Sequence, residues 1–491
     1  MNVVRKIAFN TLTQIIGKIA STILGLLAIS LITRYLGIDG FGKYTTILTF
    51  LTFFAVLADF GLTLVTVQML SDPTADEKKV INNLFGLRLA SIIVVMAIAP
   101  LVISLLPYEP VIKWGALIAC LSFLFPALNQ VIIGLLQKKL SMDKSALAET
   151  GSRLALIISI LLVKYLNGGL NGILWASVIS AATSFILHYI FAQKFTRIKP
   201  EFDRLLWRRI IHKSWPLAVT IVLNLIYLRA DILILSWFKS AGEVGLYGAA
   251  YKIIDVLTAI PFMFAGLILP IISSAWLENK KDYFDKALQK SYDFMAICAI
   301  PLIIGTQFVA RPLIILIAGE AFTDAEIILR ILILAIGAIF LGSIFSHAII
   351  ALDKQKTMIT YYLLTSLSSL IAYLILIPRF SYFGAAAVTV YSEVLIAIFS
   401  LVFTFKYGRF RPSQKILFKA TLSSLVMAVF LYFFPLTKSE HAGHLALTVM
   451  LAATIYFLAL FGLRAIKIKE VSALLKNNDH GSIPTYGGSG V

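Results

Sequence analysis

The chain has 491 residues, of which 59% are hydrophobic and only 14% are charged, and its mean hydropathy is +0.90. A soluble domain averages about 25% charged residues, so the composition excludes an ordinary soluble protein. The formal net charge is +18, and a large positive charge is also typical of proteins that bind nucleic acids. Its placement in short loops between apolar stretches instead indicates a membrane-orientation signal.

About fourteen apolar stretches, each roughly 20 residues long, follow one another along the chain, and a stretch of this length crosses a bilayer core as a helix. The sequence therefore predicts an all-α membrane protein with about 14 transmembrane helices. The first stretch is too long for a signal peptide and no cleavage site follows it, so it is interpreted as a retained span. The predicted spans are residues 10–33, 44–69, 81–106, 114–136, 146–166, 170–192, 215–238, 247–275, 294–318, 327–351, 358–377, 383–405, 416–435 and 443–463.

Basic residues are concentrated in alternate loops. If the N-terminus is cytoplasmic, 28 of the 43 Lys and Arg residues fall in inside segments and far fewer fall in the outer loops. The positive-inside rule then predicts a multi-pass protein of the cell (plasma or inner) membrane with both termini in the cytoplasm.

The two longest basic loops predict the domain organisation. An N-terminal six-helix lobe (1–192) is followed by a basic, amphipathic cytoplasmic linker (193–214), which is suited to an anionic membrane surface. A C-terminal six-helix lobe (215–405) and an extra helix pair (416–463) come next. The cytoplasmic tail (464–491) is predicted to begin as a short amphipathic helix and to end in a disordered Gly- and Ser-rich segment.

The two six-helix blocks share a weak internal repeat. Gly42 and Tyr44 recur 203 residues later as Gly245 and Tyr247, and each pair lies where a new span opens. Both blocks start on the same side, so the repeat is parallel, with its axis along the membrane normal. Transporters often bind substrate where such repeats meet.

Helical spacing puts polar or small residues on one face of the first, second, seventh and eighth spans. Charged residues on or beside these faces have no place in lipid, which predicts two lobes around a central water-filled cavity. The alternative is that Ser and Thr faces simply hold helices together. The charged residues are Lys18, Asp59, Arg229, Asp231, Lys252 and Asp255.

The cations Lys18, Arg229 and Lys252 lie at successive depths of the membrane, and they predict binding of a phosphate-bearing substrate. The alternative is local ion pairing, of Arg229 with Asp231 or of Lys252 with Asp255. The second pair is better placed, because residues three apart share a helix face.

Asp59 has no base nearby in its own helix, so it is the first candidate to bind a coupling H⁺ or Na⁺. Pairing with Lys18 across the helix interface is the alternative. Asp231 and Asp255 are weaker candidates for ion coupling, because each has a base close by in sequence. Glu393, deep in the twelfth span, has no predicted role.

The remaining basic residues in the spans lie nearer the span ends, and most are expected to extend to the lipid headgroups. They are Arg88, Arg153, Arg311, Arg330 and Lys419. The cysteines Cys120 and Cys298 lie in apolar helices and are expected to pack there without a disulfide.

No P-loop, HExxH or CxxC motif occurs, so the sequence predicts neither an enzyme nor a cofactor. His441 and His444 have a spacing that a metal site uses, but two histidines in one loop are a weak signal, and no metal is predicted.

The segment from Thr33 to Leu62 reads TRYLGIDGFGKYTTILTFLTFFAVLADFGL. It resembles the opening of the polysaccharide biosynthesis membrane proteins, the Wzx-type lipid-linked oligosaccharide flippases of the MOP superfamily. The matching positions are Arg34, Leu36, Gly37, Gly40, Gly42, Tyr44, Asp59, Phe60 and Gly61, and in the second half Pro216, Asp231, Gly245, Tyr247, Ala250, Pro261, Pro270, Gly319 and Glu320.

The resemblance implies two six-helix lobes around a cavity that opens alternately to each side. It also implies an isoprenoid diphosphate-linked oligosaccharide as cargo, moved from the cytoplasmic to the outer leaflet, with membrane lipids and a coupling H⁺ or Na⁺ as further partners and no nucleic acid. The family's cationic cavity residues do not lie in fixed motifs. The assignment of Lys18, Arg229 and Lys252 therefore depends on their depth in the membrane.

Two other functions are compatible with a polytopic chain. A multidrug or cation antiporter of the same superfamily would favour acidic residues in its cavity, which the cations here oppose. A membrane glycosyltransferase or polymerase would need a long outer loop, and the predicted outer loops are only about 5–12 residues long.

Overall fold

The computed structural model describes residues 3–70 and 76–465, and this part of the chain is all-α. Twelve of its helices are long and apolar enough to cross a membrane. The α-helices are α1 (Val3–Asp59), α2 (Leu62–Leu70), α3 (Glu77–Leu105), α4 (Pro110–Lys138), α5 (Met142–Tyr165), α6 (Gly169–Ala192), α7 (Arg204–Phe238), α8 (Ala241–Leu277), α9 (Lys281–Ala318), α10 (Ala325–Ala351), α11 (Gln355–Gly408), α12 (Lys415–Phe433) and α13 (Ala442–Gly462).

Two helices are bent into two arms, and each arm is long enough for one crossing. The bend in α1 is at Gly37, which has φ +66°, and the bend in α11 is at Ser381, which has φ +52°. With 57 and 54 residues, these helices far exceed the 20 residues that one crossing needs. Counting each arm once confirms about fourteen spans in the described residues.

The second predicted span is not one continuous helix. It consists of the second arm of α1 and the short helix α2, separated by Phe60 and Gly61, which both have positive φ. The interruption lies next to Asp59, so this carboxylate is at a break in the helix and not within a regular stretch.

The helices form two lobes and an additional pair. Helices α1 to α6 pack on one another, as do α7 to α11, while α12 packs on both α9 and α13. The second arm of α1 and α8 form the centre of the contact between the lobes. This architecture confirms the predicted fold class of two six-helix lobes with a C-terminal helix pair.

The segment between the lobes is attached to α3. The backbone N–H of Asp203 donates to Asn83 Oδ1 (2.7 Å), and Asn82 Nδ2 donates to Glu201 Oε1 (2.8 Å). Lys79 Nζ lies 2.8 Å from Asp203 Oδ2, and this hydrogen-bonded cation lowers the pKa of the Asp203 carboxyl.

Only the first part of the predicted linker is a connection. Residues 193–203 connect α6 to α7, with residues 199–203 bonded to α3, whereas residues 204–214 form the first turns of α7, which continues into the seventh span. The predicted helix and disordered end of the tail lie outside the described residues, apart from residues 464 and 465.

The two repeat-related glycines meet at the contact between the lobes. A Cβ atom on Gly42 would lie 1.7 Å from the carbonyl oxygen of Ala241, and one on Gly245 would lie 2.2 Å from that of Ile38. Neither position has room for a side chain. The repeat found in the sequence therefore marks the closest approach of α1 and α8, at the end of the molecule where α1 bends.

Arg34, close to the same bend, connects α1 to α9. Its guanidinium donates to the carbonyl oxygens of Ile315 (2.9 Å) and Leu316 (3.0 Å) at the C-terminus of α9. The carbonyl of Leu316 lies in the last turn, and that of Ile315 also accepts from the backbone N–H of Gly319, so the cation caps the helix end and complements the negative end of the helix dipole.

Candidate functional site: a cationic cavity between the lobes

A polar cavity of about 170 Å³ lies between the two lobes. The second arm of α1 supplies three threonines to its wall, and α7 and α8 supply three charged side chains. The polar lining residues are Tyr44, Thr45, Thr49, Thr52, Arg229, Tyr251, Lys252 and Asp255. In the predicted numbering, the wall is thus built from spans two, seven and eight, with Phe123 of the fourth span, at the point where the two lobes meet. The first span, which was predicted to share this cavity, supplies none of these lining residues.

The charged groups of the cavity form one cluster. Arg229 Nη2 lies 2.5 Å from Asp255 Oδ1, and the guanidinium carbon lies 4.8 Å from the ring centroid of Tyr251. Lys252 Nζ is 4.0 Å from the other carboxylate oxygen of Asp255. Two cations therefore share one carboxylate, which leaves the cluster with an excess positive charge that suits an anion.

The pairing differs in part from the sequence alternatives. Arg229 pairs with Asp255 and not with Asp231, two residues away. Lys252 is close to Asp255, as the i, i+3 spacing indicated, but at 4.0 Å the contact is loose. Lys252 is therefore the cation that is more available to a ligand.

Asp231 is fully buried and does not line the cavity. Its carboxylate accepts hydrogen bonds from Tyr247 Oη (2.6 Å), Thr389 Oγ1 (3.2 Å) and the backbone N–H of Ile232 (2.7 Å). These bonds connect α7, α8 and α11 and compensate for the burial of the carboxylate.

Asp59 forms an ion pair with Arg88 of α3, and the Arg88 side chain is only 1% exposed. Thr63 Oγ1 donates to Asp59 (2.5 Å) and accepts from Arg88 (2.8 Å). The expectation that Arg88 reaches the headgroups is therefore wrong, and Asp59 has a base from another helix. Its partner is not Lys18, which the sequence alternative named.

Lys18 is not part of the cavity cluster. It lies on the first arm of α1 with an exposed side chain, next to Gly17, where a Cβ atom would come within 2.3 Å of Ala146 on α5. The structure thus brings Arg229 and Lys252 together but leaves Lys18 apart from them.

Arg153 of α5 is a cation that the sequence analysis assigned to the headgroups. It lies beside Gly25, where a Cβ atom would be 3.8 Å from the guanidinium carbon, and it interacts electrostatically with Tyr44 and Lys252. Arg153 is exposed and does not line the polar cavity, but it lies seven residues inside the fifth predicted span, about 10 Å deep at 1.5 Å per residue.

A second, apolar cavity of about 600 Å³ lies between the first arm of α1 and helices α8, α9, α12 and α13. Its wall is almost entirely hydrocarbon. Representative lining residues are Leu26, Ile260, Pro301, Leu313, Met427 and Tyr456. The extra helix pair thus forms one side of this cavity, which is an apolar groove.

Within residues 3–70 and 76–465 there is no group of three or more His, Cys, Asp or Glu side chains placed to hold a metal ion. Together, the polar cavity and the apolar groove could accommodate a ligand with a charged part and a hydrocarbon part.

The family of polysaccharide biosynthesis proteins matches residues 4–276, more than half of the chain. The chain belongs to this family. The match includes both glycines of the repeat and the charged cluster of the cavity, and it confirms the resemblance noted in the sequence.

Individual relatives are distant. The chain is 23% identical to the capsular polysaccharide biosynthesis protein CapF of Staphylococcus aureus over 59% of this chain and 74% of that protein. It is 24% identical to the probable flippase AglR of Haloferax volcanii over 51% of this chain and 54% of that one. An uncharacterized membrane protein of Methanocaldococcus jannaschii, 22% identical, matches over 57% of this chain and 56% of its own length, so the match spans only part of these relatives.

Solved structures show the same fold. A lipid II flippase, MurJ, in an inward closed conformation superposes with a TM-score of 0.75 at 18% identity, covering 91% of this chain and 98% of that one. An inward-facing multidrug resistance MATE transporter of the MOP superfamily gives 0.63 at 12% identity, covering 81% and 94%. Both of these solved proteins are membrane proteins, and the described residues of this chain likewise form a multi-pass helical fold.

Proposed function

We propose that the protein is a flippase that moves an isoprenoid diphosphate-linked oligosaccharide from the cytoplasmic to the outer leaflet by alternating access. The observation that carries this proposal is the cavity between the lobes, in which two cations share one carboxylate. The flippase and capsule proteins among the relatives support the cargo class.

The charge of the cargo explains the need for the cavity. A diphosphate cannot cross about 30 Å of hydrocarbon without neutralisation. In the proposed mechanism Lys252 binds the diphosphate first, because its contact with Asp255 is loose. Arg229 then exchanges Asp255 for the phosphate, which it can grip with two parallel hydrogen bonds. Lys18 and Arg153 attract the anion along the first lobe.

The hydrocarbon part of the cargo has a separate place. The apolar groove of about 600 Å³ next to α12 and α13 can hold a segment of the isoprenoid chain, while the sugar occupies the aqueous space between the lobes. This arrangement gives the extra helix pair a role beyond packing, because the groove keeps the isoprenoid chain in apolar surroundings while the diphosphate occupies the polar cavity.

The further parts of the proposal concern the setting. The protein works in the cell membrane with both termini in the cytoplasm, as the bias of basic residues predicts. An H⁺ or Na⁺ gradient drives transport, and Asp59, Asp231 and Asp255 are the carboxylates predicted to couple it. The alternative function, a multidrug or cation antiporter, is less suited to a cavity in which cations outnumber carboxylates.

Transport in proteoliposomes tests the proposal. The cargo would be a fluorescent, short-chain isoprenoid diphosphate sugar. A quencher that cannot cross the membrane reaches this lipid only after the protein has moved it to the leaflet that faces the quencher, so the loss of fluorescence measures transport. We expect Lys252→Gln to reduce the initial rate at least tenfold, because the first phosphate contact is lost, while thermal stability stays unchanged. Lys164→Gln, at an exposed end of α5, is the matched control and should transport normally.

Arg229 needs a paired design, because its removal leaves Asp255 unpaired. Arg229→Gln alone should lose both stability and transport, and adding Asp255→Asn should restore stability but not transport. Normal transport in both Lys252→Gln and the double variant would contradict an anionic cargo. Export of a cationic dye with no movement of the diphosphate would favour the antiporter.

A further inference from the structure

Glu393 is a buried carboxyl group with an unused oxygen. It lies in the second arm of α11 and is 6% exposed. Its Oε1 atom is shielded from solvent and has no hydrogen-bond partner among the residues described. It does not line the cationic cavity, so the proposed transport site does not account for it.

The position of Glu393 follows from the register of the two arms of α11. Tyr373 Oη is 3.1 Å from Thr389 Oγ1, and Tyr391 Oη is 3.3 Å from Ser368 Oγ, so the arms run antiparallel with these residues level. Glu393 is one turn beyond Thr389 on the same face. It therefore faces the part of the first arm around Ser368.

Two hydroxyl groups in that part of the first arm are also unused. Thr365 and Ser369 are fully buried, and their Oγ atoms lack partners within the structure as described. They lie one turn apart, on either side of Ser368. Three buried oxygens without partners at one level of α11 are uncommon, since most buried polar groups are hydrogen-bonded.

Among the described residues, the ionisable groups that interact electrostatically with Glu393 are tyrosines: Tyr227 of α7, and Tyr362 and Tyr373 of the first arm. The charged groups on the helices packed against α11 have partners of their own. On α7 and α8, Asp231 bonds to Tyr247, and Arg229 and Lys252 lie against Asp255. On α10, Arg330 lies 4.0 Å from Glu326, and His347 bonds to the carbonyl of Ser343.

An ionised carboxylate in such a place has no cation beside it among the described residues, and its burial costs several kcal/mol. A protonated carboxyl carries no charge and gains an O–H donor, so its burial costs much less. We propose that Glu393 is a proton-binding site of the C-terminal lobe and the carboxyl group through which a proton gradient acts on transport.

This inference rests on the proposed function for its link to transport, and it differs from the predicted coupling residues. Asp59, Asp231 and Asp255 each have a partner in this conformation, so none of them needs a proton here. Glu393, by contrast, needs a proton to offset the cost of its burial.

The site is positioned to sense the packing of α7 on α11. Ser366 Oγ donates to the carbonyl of Leu223 (2.8 Å) and Tyr373 Oη donates to that of Tyr227 (3.1 Å), which holds the two helices together beside Glu393. Loss of the proton would place an unpaired charge at this contact. Separation of α7 from α11 admits water, lets the proton leave and stabilises the ionised form.

Infrared difference spectroscopy of the full chain in lipid tests the site without any cargo. We expect a carbonyl stretch of a protonated carboxyl group at neutral pH that disappears when the pH is raised. It should be absent from Glu393→Gln, which has the shape of the protonated form, and retained in Glu320→Gln, an exposed glutamate that serves as control.

Glu393→Asp keeps a titratable group and should move this band without abolishing it, which distinguishes protonation from a change of fold. A band that persists in Glu393→Gln would overturn the proposal. So would a Glu393 that is ionised at neutral pH, or one whose signal responds to Na⁺ and not to pH.

Transport provides the second readout. In proteoliposomes Glu393→Gln should move the cargo at a rate that no longer changes with an imposed pH gradient, whereas Glu320→Gln keeps that dependence. If no variant and no wild-type protein moves the lipid-linked sugar, the proposed function fails while the infrared result still stands. A pH dependence that is unchanged in Glu393→Gln would disprove the coupling role.

Discussion

At the scale of single residues, the pair formed by Asp59 and Arg88 gives Asp59 a role in stability that is separate from the predicted coupling role. Arg88 is almost completely buried, and both its terminal nitrogens are used, one by Asp59 and one by Thr63. A buried cation that loses its counter-ion is strongly destabilising, so Asp59 stabilises the fold in this conformation.

We therefore expect Asp59→Asn to lower the free energy of unfolding by about 3–5 kcal/mol, because Arg88 is left as an uncompensated buried charge. Thermal melting of the purified protein, followed by tryptophan fluorescence, measures the loss. Adding Arg88→Met should restore most of the stability, since the pair is then removed as a whole.

The same variants test ion coupling by Asp59. If the stabilised double variant transports normally and still responds to pH and Na⁺ gradients, Asp59 is structural only. If it folds well but no longer responds to either gradient, the predicted coupling role of Asp59 holds and the assignment of coupling to Glu393 alone is too narrow.

At the scale of helices, the contact of α1 with α8 depends on two positions that exclude any side chain. A Cβ atom at Gly42 or Gly245 would overlap a carbonyl oxygen of the other helix. These oxygens belong to backbone, so they cannot swing away as the end of a long side chain can. The helices must separate to admit even a methyl group.

We expect Gly42→Ala and Gly245→Ala to weaken the joining of the two lobes at the end where α1 bends. Pulsed electron paramagnetic resonance measures the distance between spin labels on exposed ends of α5 and α8. The mean distance should lengthen and its distribution should broaden. The matched control is Gly266→Ala, in the same helix as Gly245 but with nothing within 4 Å of the new methyl group. Unchanged distances in all three variants would show that this contact does not set the conformation.

At the scale of the whole molecule, the number of spans and the orientation are separate questions. The structure confirms about fourteen crossings, but the direction of the protein in the membrane stays a prediction from the bias of basic residues. An even number of crossings places the two termini on the same side, whichever side that is.

Labelling of single cysteines in whole cells measures the orientation. In a background without Cys120 and Cys298, an impermeant maleimide should label Lys239→Cys from outside and should reach Arg204→Cys only after the cells are opened. The reverse pattern would invert the topology, and with it the direction of transport proposed for the protein.

The sequence alone determined the fold class, the number and approximate bounds of the spans, and the place where the two lobes meet. Apolar length and loop charge are local properties, so they can be read without knowing how the helices pack. Lys18, Arg229 and Lys252 were predicted to face one cavity. The structure brings Arg229 and Lys252 together with Asp255, because helical spacing puts them on neighbouring faces of two adjacent spans, and leaves Lys18 apart from them.

Only the tertiary structure decided which charges have partners. Asp59 pairs with Arg88, 29 residues away, and Arg229 pairs with Asp255, 26 residues away, because helix rotation and packing bring these groups together. The same packing leaves Oε1 of Glu393 without a hydrogen-bond partner in the described part of the chain. Side-chain periodicity shows the face of a helix that carries a charge, but the group opposite that face is set by contacts between distant parts of the chain.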